Sequence, residues 1–320
     1  MIKLNYKKIL VQIFTLLSLV FVACLIYLFT PPNNFPADEL IFVQPGSSIA
    51  EIANNLEQRG VVRSGKLFQI HMTAFSLIPR AGDYKFQSAG TMYEIARRIS
   101  RGEYGDVIVS VTIPPGTTFE GIKNILEQEE ELLNFDAEIF QVFADRIGEG
   151  KFFPDTYHFF PSTVTTEILN TMHEQWQEKV EETLNLKLAR INPDIFIIAS
   201  LIEREAGRKS ADEAGIISGI IKNRLDIGMK LQLDATLYYL TERTSAELRK
   251  SDLNLDSPYN TYRHTGLPPT PISNYSTKSL QAAQNPTQTE YLFYLHDPDG
   301  NVHYARTNAE HVQNKKLYLK

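Results

Sequence analysis

Two carboxylates close an unusually apolar run: Ile195-Phe196-Ile197-Ile198-Ala199-Ser200-Leu201-Ile202 leads directly into Glu203-Arg204-Glu205. Ionised glutamate is rarely buried without a partner, and desolvation raises a carboxyl pKa toward the range of a proton donor at neutral pH. A glutamate at this place is therefore a candidate general acid. The ordinary alternative is that a helix surfaces there, with Glu205 and Lys209 as an exposed pair four residues apart. On a helix, positions 203 and 205 point about 200° apart, so one cleft receives at most one of them. Glu205 stacks over Ile198, Leu201 and Ile202, and Glu203 over Phe196, Ala199 and Ser200. The first surface is more apolar and favours Glu205.

The segments that follow are rich in groups that read hydroxyls. Asn223-Arg224-Leu225, Leu231-Gln232-Leu233-Asp234, Ser257-Pro258-Tyr259-Asn260-Thr261-Tyr262 and Thr265-Gly266-Leu267-Pro268-Pro269 set amides, hydroxyls and rings in turn-rich stretches. Stacking rings with paired donors and acceptors suit a sugar polymer, and loops on a rigid scaffold are where sites gather. Gln232, Asp234, Tyr259, Asn260, Thr261 and Tyr262 are the candidate substrate-binding residues. Other chemistries lack their signatures. Neither Ser-x-x-Lys nor Gly-x-Ser-x-Gly occurs, no His-Glu-x-x-His is present, and the seven histidines are scattered. His296-Asp297-Pro298-Asp299-Gly300 has the acidic spacing of a calcium loop but lacks its closing glutamate and reads as a turn. No metal and no cofactor is called for.

The elements that must position these groups are readable in outline. Asn192-Pro193-Asp194 predicts a helix start, with Asn as cap, Pro at the first helical position and Asp at the positive end of the dipole, and the helix runs to about Gly207. Helical periodicity dominates from Phe119 to Leu240, broken by a packed connector of glycine, proline and aromatics over 149–157. Upstream, strand Leu40–Val43 is followed by the turn Pro45-Gly46 and a helix capped by Ser47 or Ser48 with Ile49, Ile52, Ala53 and Leu56 on one face. The pattern returns at Ile113, Pro115-Gly116, Thr117-Thr118, Phe119, Ile122 and Leu126. Between the copies, Ala81-Gly82-Asp83-Tyr84 reads as a turn and Thr91–Ile95 opens a helix ending near Gly102. The expected class is α+β: a small α/β module over 38–108, then a mainly helical α+β domain over 109–320.

Composition narrows the function classes. The 320 residues are 43% hydrophobic, enough for a packed core and against disorder as the main state. Thirty-two Lys and Arg against 38 Asp and Glu give a net charge of −6, which argues against a nucleic-acid partner. One cysteine excludes an internal disulfide and a cysteine-based zinc site. From Ile9 to Phe29 the chain is uncharged and, Gln12 aside, apolar or small, about the length that crosses a bilayer. Lys3, Lys7 and Lys8 precede it and no acid appears before Asp38, so the positive-inside rule predicts a cytoplasmic tail (1–8), a single transmembrane helix (9–29), a stiff linker (30–37) and the remainder outside, in a bacterium the periplasm. A cleaved signal peptide fits less well, since the apolar stretch is long and lacks a small-x-small site before Thr30.

Taken together, Ala199–Glu205, Asn223-Arg224-Leu225, Leu231–Asp234, Tyr259–Tyr262, Gly266-Leu267-Pro268-Pro269 and Phe153–Tyr157 resemble the endolytic murein transglycosylase family, the MltG or YceG-like proteins, over nearly the whole chain. The resemblance implies that the second Glu of Glu-x-Glu, Glu205, is the catalytic acid. It implies a lyase that cuts peptidoglycan glycan strands between N-acetylmuramic acid and N-acetylglucosamine, leaving 1,6-anhydro ends at the inner membrane. It further implies a LysM-like module ahead of the catalytic domain and peptidoglycan synthases as partners. Three departures concern loop shape: Thr270 where the family has Gly, Asn274-Tyr275-Ser276 in place of Asn-Pro-Gly, and Ala235 where Pro is frequent. The rival reading is a non-catalytic scaffold that binds glycan and recruits wall synthases, in which Glu205 is only an ion-pair partner and tolerates Gln.

Overall fold

The computed structural model describes residues 6–207, 212–241, 243 and 247–319. The class is mixed α+β, and the chain divides into two compact units, 1–109 with 160–162, and 110–159 with 163–320. Helix α1 (Tyr6–Phe29) contains one segment, Leu10–Phe29, long and apolar enough to cross a membrane.

The first unit carries β1 (Leu40–Val43), α2 (Ile49–Gln58), α3 (Gly65–Ala74), β2 (Gly82–Lys85) and α4 (Met92–Arg101). Strands β1 and β2 pair antiparallel, from Leu40 opposite Lys85 to Val43 opposite Gly82. The stretch 82–85, expected as a turn, is therefore a strand: Tyr84 and Phe86 enter a core with Ile41, Leu56, Phe68, Met72, Ile95 and Ile99, and that burial outweighs the turn preference of Gly-Asp. Capping boxes Ser48/Glu51 and Thr91/Glu94 start α2 and α4, each satisfying two otherwise orphaned N–H groups.

The second unit begins with the other copy of the strand-turn-helix pattern, β3 (Val109–Thr112) and α5 (Phe119–Glu127). Gly46 and Gly116 take the same left-handed φ, 79° and 81°, as the residue after proline must in a type II turn. Ser48 and Thr118 both cap, and Ile52/Leu56 match Ile122/Leu126 as buried pairs. The second copy differs in one bond. Ser47 N–H closes the first turn onto Gln44 O (3.2 Å), whereas Thr117 N–H donates to Asn274 Oδ1 (2.9 Å).

There follow α6 (Ala137–Ile147), β4 (Thr156–Phe159), α7 (Thr165–Leu184), α8 (Asp194–Glu205), α9 (Glu213–Asp226), α10 (Asp234–Thr241), α11 (Thr277–Gln284), the hairpin β5 (Phe293–His296) and β6 (Val302–Ala305), and α12 (Asn308–Tyr318). The connector expected at 149–157 runs into β4, which pairs with β3. Helix α8 starts one residue later than Pro193 suggests, with Asn192 Oδ1 accepting from Asp194 N–H (3.1 Å). It lies at the centre of the core, against α9, α10 and α11, with Ala199, Leu201 and Ile202 completely buried among Trp176, Ile217, Leu231, Tyr275 and Leu280. Asp297 and Gly300 make the β5–β6 turn, as the sequence suggests.

Candidate active site

The last turn of α8 separates its two glutamates. Glu203 Oε2 accepts from Ser276 N–H (2.8 Å) and Ser276 Oγ (2.6 Å), so it anchors the start of α11. Glu205 turns the other way. Its Oε1 accepts from Ala235 N–H (3.2 Å) in the first turn of α10, and its Oε2 from the Tyr294 hydroxyl (2.7 Å) on β5. Lys209, the partner of the exposed-pair alternative, lies outside the described residues. Arg204 between them donates to Gly116 O (2.8 Å).

The Glu205 carboxyl is held by opposing forces. Burial raises its pKa, the donors Tyr294 and Ala235 pull it down, the nearby Asp234 charge pushes it up, and His296 lowers it; the balance is upward. Burial and the Glu205 charge together keep the Tyr294 hydroxyl protonated, so it serves as a donor throughout the neutral range. The first-turn N–H groups of α10 present the positive end of a helix dipole, which steadies the carboxylate once it forms.

Two residues of the Asn223-Arg224-Leu225 motif hold Tyr294 in place. Asn223 Nδ2 donates to Thr289 O (2.8 Å) and Tyr291 O (3.1 Å), and buried Arg224 donates through Nε to Leu292 O (2.7 Å). Arg224 also donates to Leu231 O and lies over the Phe293 ring, tying the hairpin to the loop that carries Gln232. Beside it, Glu213 Oε1 accepts from Gly207 N–H (2.7 Å) and lies 2.6 Å from His296 Nε2.

Glu205, Gln232, Asp234 and Tyr262 line one cavity of about 460 Å³, with Arg224, Tyr294 and His296. Gln232 reaches it from a left-handed conformation, φ 50°, fixed by its N–H bond to Thr261 O (3.1 Å). Tyr262 donates to Asp234 Oδ1 (2.5 Å). Asn260 and Thr261, expected beside them as ligand contacts, are buried: Asn260 Nδ2 serves Leu253 O and Leu255 O, and Thr261 Oγ1 accepts from Leu233 N–H. They shape the loop because an amide or hydroxyl excluded from water must bond the backbone around it. Tyr259 lies in a different cavity, its hydroxyl 2.7 Å from Thr270 Oγ1.

Tyr294 and His296 are not singled out by the sequence as members of this site, and Arg224 only as part of the Asn223-Arg224-Leu225 motif. Arg224 had a signal, a cation on a helix whose neighbours are apolar; Tyr294 had none, being a ring in a short C-terminal strand. The residues that depart from the expected family pattern divide between this site and its surroundings. Thr270 meets Tyr259, Tyr275 accepts from Trp176 Nε1 (2.9 Å), Ser276 holds Glu203, and Ala235 supplies the N–H that proline lacks.

Comparison with known proteins agrees with this architecture. Residues 41–317 match the model of the YceG-like family. An endolytic murein transglycosylase of Bacillus subtilis (strain 168) is 31% identical over 306 residues, covering 87% of this chain and 84% of that protein. One of Streptococcus pneumoniae (serotype 2, strain D39) is 27% identical over 316 residues, and there the match spans only 57% of the longer relative. A crystal structure from Listeria monocytogenes, described as yceG-like, shares the fold with a TM-score of 0.52 at 24% identity over 86% of this chain and 98% of that one. With most of its length matched by that family model and a relative above 30% identity, this chain belongs to the YceG-like family.

Proposed function

We propose that this protein is a membrane-anchored endolytic lytic transglycosylase that cuts peptidoglycan glycan strands, with Glu205 as acid and then base. The observation that carries this reading is a single carboxyl, kept toward its protonated form by burial, aimed into a polar cavity by one backbone and one tyrosine donor. Membership of a family whose relatives bear that activity in their names supports it.

In this mechanism protonated Glu205 gives its proton to the oxygen between N-acetylmuramic acid and N-acetylglucosamine, and the C1–O bond breaks. The resulting carboxylate takes the proton of the muramoyl C6 hydroxyl, whose oxygen closes on C1 to leave a 1,6-anhydro end. No water is consumed and Glu205 returns to its starting state. Asp234, its charge shared with Tyr262, faces the positive charge that develops on the sugar ring. Gln232 and Tyr262 contact sugar hydroxyls, while Asn260 and Thr261 hold the loop that presents them.

Asp234 also favours a second reading. Two carboxyls in one cavity are the equipment of a hydrolase, in which Asp234 would activate water. The remaining parts of the proposal concern place: residues 9–29 of α1 span the inner membrane with residues 1–8 cytoplasmic, the catalytic domain is periplasmic, the module of 38–108 is LysM-like, and wall synthases are partners. Support for the anchor is the apolar length of Leu10–Phe29 and the lysines before it.

The test is mass spectrometry of uncrosslinked strands incubated with residues 32–320 and with the Glu205→Gln variant. Anhydro-muramoyl ends from the wild type alone are expected. Reducing ends would transfer the assignment to hydrolysis, and cleavage by the variant would remove Glu205 from its role.

A further inference from the structure

Beside the Glu205 cavity lies a larger one, about 1050 Å³, whose lining includes Arg204, Tyr238, Tyr239, Tyr259, Gln141 and Glu149. The reaction just described uses none of it. The two cavities adjoin: Arg204 is the neighbour of Glu205 on α8, and Tyr238 lies one helical turn beyond Asp234 on α10. Tyr238 senses both acids, since burial and then the charges of Asp234 and Glu205 raise its hydroxyl pKa.

Size, lining and charge each bear on the occupant. At about 1050 Å³ the cavity stands at the upper end of ordinary ligand pockets, roughly 300–1,000 Å³, so it has room for more than one sugar ring. Tyrosine rings offer an apolar face and a polar edge, the pairing that a sugar ring presents in return; Tyr239 and Tyr259 sit 5.2 Å apart, centroid to centroid. Glu149 belongs to the wall, accepting from Phe119 N–H (3.0 Å) and Gly150 N–H (3.2 Å), with its carboxyl pushed up to about 7 by burial. Glu120, Asp145 and Glu149 share the lining with Arg204 and Arg243, and Glu120 is paired with Lys123 (2.6 Å), so no single sign of charge dominates, which suits a chain of hydroxyls that carries a lactyl carboxylate on each muramoyl ring.

The geometry points to a distal glycan subsite: this cavity grips the part of the strand remote from the bond at Glu205, so a strand crossing the start of α10 fills both cavities and is cut internally. The inference rests on the reading that glycan strands are the substrate.

Binding tests it separately from cleavage. Full-length protein carrying Glu205→Gln, in detergent micelles, is titrated with fluorescent glycan strands stripped of stem peptides and with a tetrasaccharide of the same sugars. Tyr238→Ala removes a ring, and Gln141→Trp fills the cavity from the exposed side of α6, where no core contact is disturbed. Each is expected to weaken strand binding about tenfold, with the loss on tetrasaccharide at least fivefold smaller. Equal losses on both ligands, no loss on either, or no strand binding at all would each overturn the subsite. If binding behaves as expected while wild-type protein releases no new ends, the subsite stands and the lytic assignment falls.

Discussion

The Glu205 carboxyl is set by four neighbours, Tyr294, Ala235, Asp234 and His296, that pull in different directions, and each pull has a measurable sign. A general acid works only while protonated, so activity falls as pH rises through its pKa. Ala235→Pro removes the N–H donated to Oε1 at a position in the first turn of α10 where proline is tolerated. The carboxylate loses a stabilising bond, and the alkaline limb of kcat/KM moves to higher pH with little change in melting temperature. Asp234→Asn removes a like charge and moves the same limb to lower pH. It also reduces kcat roughly 10–100-fold if Asp234 faces the charged sugar ring, an effect of about 1.4–2.7 kcal/mol at 1.36 kcal/mol per tenfold. Glu203 differs in kind. Glu203→Ala unties Ser276 at the start of α11 and costs about 1–2 kcal/mol of stability, read by denaturant unfolding, without shifting the pH limb.

At the scale of elements, the site is a junction of α8, α10 and the β5–β6 hairpin, fastened by one buried cation. Arg224→Met keeps much of the side-chain volume but abandons the carbonyls of Leu231 and Leu292. Hydrogen bonds from charged groups are worth about 1.5–3 kcal/mol each, so a loss of about 3 kcal/mol is expected in denaturant unfolding. The drop in kcat should exceed that of Tyr294→Phe, because the whole strand loosens. Glu149 ties 149–150 to the first turn of α5 in a similar manner. Its folded pKa of about 7 lies above the ordinary 4.5, so the folded state holds a proton that the unfolded chain has released. Its contribution is therefore full below pH 4.5 and declines as pH rises to about 7. Glu149→Gln, which still accepts from both N–H groups, should flatten that part of the stability profile in thermal melts run from pH 4.5 to 8.

For the whole molecule, the division into units is not a single cut in the chain. Residues 160–162 return to the first unit, where Phe160 packs on Tyr104 (4.7 Å between centroids) and Ser162 N–H donates to Asp83 Oδ2 (2.8 Å). Asp83 is buried, and without Ser162 it loses a donor that a buried carboxylate needs. A fragment of residues 38–109 should accordingly be cleaved faster by protease than the same residues in the intact chain. Slower or equal cleavage would mean that the returning segment is dispensable.

What could be read without the structure was local. The apolar length of α1, a hydroxyl cap at 47–48 and its repeat at 117–118, the Pro-Gly turns, the start of α8 to within one residue and the opposed directions of Glu203 and Glu205 all follow from neighbours within a few residues, where helical geometry and backbone chemistry act directly. The loops at 231–234 and 259–262 were legible as a site by composition, but not which side chains would face the cavity. Asn260 and Thr261 turned inward, and Tyr259 turned elsewhere, because buried loop backbone demands partners that composition does not reveal. The strand at 82–85 is a similar case, since its turn-like residues yield to a partner strand and a core that only folding supplies. The deciding contacts of Glu205 and Glu203 come from Tyr294 and Ser276, 89 and 73 residues downstream. Residue type and spacing point to an acid at the end of α8 and favour Glu205; only tertiary packing, which brings a hairpin and a helix start to the end of α8, decided what holds each of the two carboxylates.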